Sequence, residues 1–296
     1  MDIILTGSTG FLGSLLKQVL TEEAKVLTLA RHNAKVICDL SIQVPVLPNA
    51  DLIIHSAGKA HSVPKTPEQI QEFFDVNVKG TQNLLKGIEQ SQAFPKAFVF
   101  ISSVSVYGLD KGESIKESNP LNAKDPYGSS KIQAEEMVQD WCDKNSVICT
   151  ILRLPLLVGP NPPGNLGAMI KAIQKGYYMN IAGGLACKSM VLAEDVAKII
   201  IRASEIGGIY NLTDGYHPNF KELSKCIAQQ LNKRNPLNIP KWMAVLMAKT
   251  GDLLGGKAPF NSYKLSKISA DLTFDDSKAR EALGWNPNKV LEAFKI

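Results

Sequence analysis

The chain has 296 residues, of which 45% are hydrophobic and 21% charged, with a formal net charge of +5. Those proportions fit a globular protein with a sizeable core, built as one large α/β unit carrying a smaller lobe. The mild positive charge comes without a dense basic run or aromatic-basic interleaving, which leaves nucleic-acid binding without support, and the five cysteines show no CxxC pair or His-linked spacing, as expected of reduced thiols rather than metal ligands.

The first apolar strand, Ile3–Thr6, begins almost at once, so no targeting segment is expected and the protein is placed in the cytoplasm. Thr6-Gly7-Ser8-Thr9-Gly10-Phe11-Leu12-Gly13 then turns sharply into a helix, Gly10–Leu20. Gly7 permits the turn, Gly10 lets the backbone approach a pyrophosphate, and Gly13 lets the helix pack closely; the N–H groups at the helix start hold the anion. The Gly-x-x-Gly-x-x-Gly spacing departs from the general Gly-x-Gly-x-x-Gly fingerprint, and its weight comes from the strand before it and the helix after it. The next strand, Val26–Ala30, ends without the carboxylate that bonds the adenosine ribose of NAD. Arg31 stands there instead, placed to meet a 2′-phosphate, so the cofactor reading is NADP or NAD with NADP favoured. Asp39, with Leu40 beside it, follows a further short strand and is a candidate contact for the adenine amino group or a cap for a turn.

A strand over Asp51–His55, a helix over Pro67–Gln92 and a strand over Ala97–Ser102 follow. Ile101-Ser102-Ser103-Val104-Ser105-Val106-Tyr107-Gly108 lies at the C-terminal end of that last strand, the edge where open α/β sheets bind ligands. A serine hydroxyl there can bond a reacting oxygen. The next helix spans Pro126–Lys144, with Pro126 favouring its first turn. Tyr127 and Lys131 are four residues apart on one helical face, so phenol and ammonium can look into one cleft. A tyrosine at its ordinary pKa of ~10 is a poor base at neutral pH, and a nearby cation lowers that value. With a strand over Val147–Leu152, the alternation of helices with near-continuous apolar strands predicts a parallel, doubly wound sheet. Residues 1–155 are read as a dinucleotide-binding core and 156–296 as mainly a substrate lobe, interleaved with the last sheet strands. Trp242–Leu254 is too short and too polar to span a bilayer and is read as an amphipathic core helix, with membrane-surface contact the lesser reading. His32, His55, His61 and His217 show no ligand spacing, so no metal is expected, and His55 reads as a packed core residue.

The glycine loop, Ser102-Ser103-x-x-Val106-Tyr107-Gly108 and Tyr127-x-x-x-Lys131 resemble the extended short-chain dehydrogenases/reductases, and most nearly their sugar-nucleotide epimerase/dehydratase branch. The resemblance continues through His55-Ser56-Ala57-Gly58, Asn77-Val78-x-Gly80-Thr81, Arg153 before Val158-Gly159-Pro160, Glu194-Asp195-Val196-Ala197 and Leu283-Gly284-Trp285-x-Pro287. It implies a Rossmann fold in which Ser103 is the catalytic hydroxyl, Tyr127 the acid/base and Lys131 the residue that orients the nicotinamide ribose and tunes Tyr127, with Ser102 structural. Phe11 and Leu12 would cover the pyrophosphate, and Ala57, Gly58, Asn77 and Pro155 would line the cofactor path. Asn165 and Leu166 would grip a nucleotide diphosphate, with Lys188 as a basic phosphate ligand; a helix cap and a solvated charge are the plainer readings of Asn165 and Lys188. The resemblance also implies a homodimer through the helices at Pro67–Gln92 and Pro126–Lys144.

Related 4,6-dehydratases look like Thr-Asp-Glu where this chain has Ser103, Val104 and Ser105, so dehydration is set aside. No cysteine stands where epimerases acting at C3 and C5 place one. What remains is chemistry at C4 of a hexose or N-acetylhexosamine linked to a nucleotide, UDP above all, by 4-ketoreduction or 4-epimerisation; Arg31 leans the reading toward exchangeable NADPH and reduction. Leu156 and Val158 depart from the Arg-x-x-Asn-Val-Tyr-Gly-Pro segment of common epimerases. Two alternatives stand: an NADP-dependent reductase of a non-sugar ketone such as a steroid or phenylpropanoid, which would need an apolar pocket, and a non-catalytic NADP-binding module, which would be expected to lack Tyr127 and Lys131.

Overall fold

Alternation along the first strand explains the layered architecture. In the computed structural model, which describes residues 1–60, 62–254 and 260–296, Ile3 and Leu5 enter one apolar cluster and Ile4 the other. Successive side chains of a strand point to opposite faces, so a strand apolar at every position must be covered on both sides. The first face is covered by Leu12, Leu16 and Leu20 of one helix with Val196, Ala197 and Ile200 of another. The second is covered by Leu84, Leu85 and Ile88, together with Ala134, Val138 and Trp141. Each such leucine, isoleucine or valine, taken fully out of water, contributes about 1.5–3 kcal/mol.

In chain order the strands are β1 (Asp2–Thr6), β2 (Lys25–Ala30), β3 (Val36–Ile37), β4 (Leu52–His55), β5 (Ala97–Ser103), β6 (Gly112–Ile115), β7 (Ile148–Leu154), β8 (Leu156–Val158), β9 (Met179–Asn180), β10 (Met190–Leu192), β11 (Gly208–Asn211), β12 (Leu237–Asn238) and β13 (Leu272–Phe274). The helices are α1 (Phe11–Leu20), α2 (Pro67–Phe74), α3 (Gly80–Gln90), α4 (Pro126–Lys144), α5 (Gly164–Gln174), α6 (Ala193–Ile206), α7 (Phe220–Gln230), α8 (Lys241–Leu253), α9 (Ser262–Ser269), α10 (Ser277–Leu283) and α11 (Val290–Ala293). Among the described residues the central sheet is seven-stranded, in the order β11-β7-β5-β4-β1-β2-β3, and its pairings are parallel. The chain runs outward from β1 to β3, then returns to the other side of β1 as β4. That reversal opens a crevice beyond the carboxyl ends of β1 and β4.

The predicted parallel, doubly wound sheet is therefore present, with boundaries shifted by a residue or two. The helix expected over Pro67–Gln92 differs: α2 and α3 are joined by a wide π-type turn, Asp75–Lys79, and α3 ends at Gln90. The turn surrounds Asn77, which is buried and drawn sideways into hydrogen bonds with another segment and with α4. Such turns are rare and often mark functional positions. A third apolar cluster lies outside the sheet, where α5, α7, α11, β8 and β10 contribute Leu166, Ile170, Ile227, Val290, Val158 and Met190.

The expectation of a core helix at Trp242–Leu254 is corrected. The helix forms as α8, but its buried residues are Ala244, Ala248 and Gly251, while Trp242, Met243, Leu246, Met247 and Leu253 face outward. Small residues let α8 sit closely on the segment Ile181–Gly184, and the large side chains are left outside. Among the described residues no helix is long and apolar enough to cross a membrane.

Candidate active site

The loop after β1 is shaped by what a side chain would hit. Gly7 has a φ of +68°, and a Cβ there would lie 2.6 Å from the Ala57 nitrogen. A Cβ at Gly13 would overlap the Gly7 carbonyl oxygen, so α1 can approach the turn this closely only with glycine at that position. No side chain caps the N-terminus of α1, which leaves its first N–H groups and the positive end of its dipole directed at the crevice. Ser8 Oγ is buried and, among the described residues, is the side-chain polar atom without a hydrogen-bond partner. A buried hydroxyl of this kind costs about 1–3 kcal/mol unless something bonds it. The cradle fits a dinucleotide pyrophosphate, which would accept from Ser8 and from the helix N–H groups. Leu12 is buried in the core and can offer such a ligand only its backbone, whereas Phe11 is half-buried, with a Cβ at Gly159 coming 3.1 Å from its ring.

A hydrogen-bonded chain ties β1 to β4 and to the π-turn. The Ala57 N–H donates to Thr6 Oγ1 (3.1 Å), which lies 2.6 Å from His55 Nδ1. On the other side His55 Nε2 lies 3.0 Å from Thr81 Oγ1, whose proton goes to the Asn77 carbonyl at 2.6 Å. Because Thr81 spends its proton on that carbonyl, His55 must donate through Nε2 and accept at Nδ1 from Thr6. Burial, seconded by the Lys131 charge, pushes the His55 pKa down to about 3 and keeps the ring neutral. Here the fold has a titration signature. An unfolded histidine charges near pH 6.5, so stability conferred by neutral His55 is complete above that value and is lost as pH falls from there toward 3. The slope is about 1.4 kcal/mol per pH unit. Urea unfolding at pH 7 and pH 5 should show a loss near 2 kcal/mol in the parent that is absent from His55→Gln. Equal losses in both would remove His55 from this role.

Asn77 Oδ1 accepts from the Lys59 N–H at 2.7 Å, and its Nδ2 donates to the Lys59 carbonyl and to Ser130 Oγ. A Cβ on Gly58 would come 3.2 Å from Asn77 Oδ1 and 3.4 Å from Lys131 Nζ. Ala57, Gly58, Asn77 and Lys131 therefore form one wall running from the glycine loop to α4.

At the far end of that wall lie the three residues singled out for chemistry, two on α4 and one at the end of β5. Asp125 caps α4, its Oδ1 accepting from the Gly128 N–H at 3.0 Å, and Pro126 occupies the first turn. Tyr127, one residue on, is half-buried, with Ser103 at the end of β5 near enough to ease its ionisation. Ser103 Oγ also accepts from the Ser105 N–H at 3.2 Å, with Ser105 Oγ 3.1 Å away. Lys131 is only 5% exposed; its Nζ donates to the Ile101 carbonyl at 2.8 Å and sits 4.5 Å from the centre of the Phe100 ring. Burial brings its pKa down to about 8, against the opposing pull of Glu135. Tyr127 departs from the expected direction: burial raises its pKa, Ser103 partly offsets this, and Asp125 adds to the rise. The reason is that the Lys131 ammonium is turned to the Ile101 carbonyl, so this chain's own groups hold Tyr127 as a neutral phenol.

Behind the site Glu135 binds Arg153 through two oxygens, 2.7 Å at the closest, and accepts from Ser102 Oγ. Ser102 is thus a structural partner beside Ser103.

The remaining sequence candidates lie further out. Arg31 is exposed at the end of β2. Asp39 Oδ1 accepts from the Ser41 N–H (3.0 Å) and hydroxyl (2.6 Å), making a local turn, and Leu40 is buried with its carbonyl taking a bond from Asn83. Pro155 joins β7 to β8. Asn165 is exposed in the first turn of α5, whose cap is Pro163, and the Leu166 side chain is buried in the third cluster. Lys188 donates from Nζ to the Lys267 carbonyl at 3.0 Å, and burial lowers its pKa against the pull of Asp271 and Asp110. His61 lies outside the described residues. Three contributors were not singled out from the sequence: Ser8, Glu135, and Phe73, whose ring is 6.1 Å from that of Tyr127. Ser8 alone carried a local signal, as a polar residue between two loop glycines.

A family model described as the NAD dependent epimerase/dehydratase family matches residues 3–213. An N-acetyl-α-D-glucosaminyl-diphospho-ditrans,octacis-undecaprenol 4-epimerase of Escherichia coli O157:H7 is 27% identical over 95% of this chain and 89% of its own length. A UDP-glucose 4-epimerase of Vibrio cholerae is 28% identical over 99% and 93%. Among solved structures, RMD from Pseudomonas aeruginosa complexed with NADPH superposes with a TM-score of 0.73 at 19% identity, covering 98% of this chain and 95% of that one, a likeness of fold. The matched stretch runs from β1 past β11, the whole central sheet with its glycine loop, and the chain accordingly belongs to the NAD dependent epimerase/dehydratase family of nicotinamide-dinucleotide enzymes.

Proposed function

We propose that this enzyme acts at C4 of a hexose or N-acetylhexosamine carried on a diphosphate, with a UDP-linked sugar the favoured substrate and 4-ketoreduction the favoured direction. The observation that carries the reading is the placing of Ser103 at the carboxyl end of β5 close enough to Tyr127 to influence its ionisation, with Lys131 on the same helical face as Tyr127. Ser103 and Tyr127 would both bond the C4 oxygen. In reduction Tyr127 gives its proton to that oxygen; in the reverse sense it takes the alcohol proton. A nicotinamide dinucleotide held along the Gly7–Gly13 cradle and the Ala57–Asn77 wall supplies or removes hydride at the same carbon. The neutral phenol is the form that donates the proton in the reduction step. Arg31, exposed past β2, would pair with a 2′-phosphate and favours NADPH. Asn165 and Lys188 would meet the diphosphate, and the helices α2, α3 and α4 would form a homodimer interface.

Titration with NADH and NADPH tests the cofactor half of this reading. Arg31→Ala should weaken NADPH about ten- to a hundredfold, the worth of one charge-assisted hydrogen bond, and leave NADH nearly unchanged. Tightly retained NAD with no response to the substitution would reverse the preference. A UDP-linked 4-keto hexose should consume NADPH absorbance. Failure of that assay, together with no interconversion of UDP-linked C4 epimers, would remove the sugar reading.

A further inference from the structure

We infer that the outward face of α8 docks this enzyme on an anionic membrane surface. The helix is amphipathic in the opposite sense from a core helix. Ala244, Ala248 and Gly251 face the protein, while Trp242 is 69% exposed, Leu246 59%, Leu253 88% and the adjoining Leu254 72%. The helical period places Trp242, Leu246 and Leu253 on one stripe, with Met243 and Met247 beside it. Ordinary surface helices put their large apolar groups inside, so a row this long outside calls for an apolar partner.

The surroundings say which partner. Leu237 of β12 is exposed just before α8, and so is Leu185, directly after the segment on which α8 packs. Both belong to segments that adjoin the seat of α8. The same stretch is cationic: Lys233, Arg234, Lys241 and Lys249 are exposed, and the one acid between residues 233 and 254 is Asp252, which accepts from the Ser262 hydroxyl and N–H. Exposed large apolar side chains on a stretch rich in lysine and arginine match a bilayer interface, where the apolar groups enter the acyl boundary and the cations meet lipid phosphates. A second copy of the chain is a poorer match, because a two-fold contact would bring two such cationic stretches together. At 13 residues the helix is about 20 Å long, short of a bilayer's hydrocarbon core, and it would lie in the interface plane. The inference stands on α8 and the segments beside it, and holds whichever diphosphate carrier bears the sugar.

Flotation of the full chain with vesicles tests it. The protein should float with vesicles of equal parts phosphatidylcholine and phosphatidylglycerol, and about tenfold less with phosphatidylcholine alone or at high salt. Trp242→Glu combined with Leu246→Glu should abolish flotation while keeping the parent's dinucleotide affinity, which shows that the variant is folded. Trp141 and Trp285 are buried, so the emission of Trp242 should shift to the blue on vesicles. Trp242→Phe should float normally without that shift. An enzyme that ignores both vesicle types, a double variant that floats as well as the parent, or a double variant that merely falls from a larger to a smaller oligomer would each overturn the inference.

Discussion

Tyr127→Phe is expected to cut turnover by at least about 10²–10⁴-fold, the usual contribution of a positioned acid or base, while changing dinucleotide affinity hardly at all. The substitution removes a single oxygen. The phenyl ring keeps its place against Phe73, α4 keeps its Asp125 cap, and Ser103 keeps its contacts with Ser105. What disappears is the proton at the end of β5. The informative comparison is kcat under saturating sugar and cofactor, beside a fluorescence titration of the dinucleotide. If the variant retained most of the parent's kcat, proton transfer would have to be reassigned, with Ser105 the nearest hydroxyl to Ser103. If cofactor binding collapsed along with activity, Tyr127 would be holding the crevice together rather than moving a proton.

Glu135→Ala is expected to have the largest effect on stability, about 3–5 kcal/mol, as for a buried pair broken from one side. Glu135 is fully buried and Arg153 only 3% exposed, so the guanidinium left behind would be an uncompensated charge in the interior. Arg153 Nη1 also donates to the Tyr107 hydroxyl at 3.1 Å, and Tyr107 donates to Asn211 at 2.8 Å, so the damage would reach from α4 through β7 to β11. Urea unfolding gives the number directly. A loss below about 1 kcal/mol would show that Arg153 finds water or another partner, and that the pair is a lesser part of the fold than its burial implies. The two substitutions separate cleanly: one removes chemistry with little cost in stability, the other removes stability by acting on residues that do not touch the reacting atoms.

Elements whose fate depends on local pattern were legible before any coordinates. α4 runs from Pro126 to Lys144 as its proline start and apolar spacing require, and the strands lie within a residue or two of their apolar runs. The turn at Gly7 could be read because only a residue without Cβ passes so near Ala57. The four-residue spacing of Tyr127 and Lys131 at a helix start and the serine-rich end of β5 were recognisable locally, whereas the choice of Ser103 among those serines came from the family resemblance.

Elements whose fate depends on distant partners were not. The π-turn at Asp75–Lys79 follows from what Asn77 finds in Lys59 and Ser130, and nothing within α2 or α3 announces it. Glu135 looked like one more helical carboxylate until Arg153 and Ser102 closed on it. Asp39 and Lys188 are charges whose direction was set by a neighbouring Ser41 hydroxyl and by the carbonyl of Lys267, 79 residues downstream.

By itself the order of residues determined the sheet, its glycine turn and the helix that carries Tyr127 and Lys131 on one face, because strand alternation, helical period and the absence of a Cβ act over a few neighbouring positions. Which way α8 would turn its tryptophan and leucines was decided only in the folded molecule. Period alone marks a helix's faces; it was the packing of α8 on the segment Ile181–Gly184 and on α9, which took in Ala244, Ala248 and Gly251, that chose which face went in.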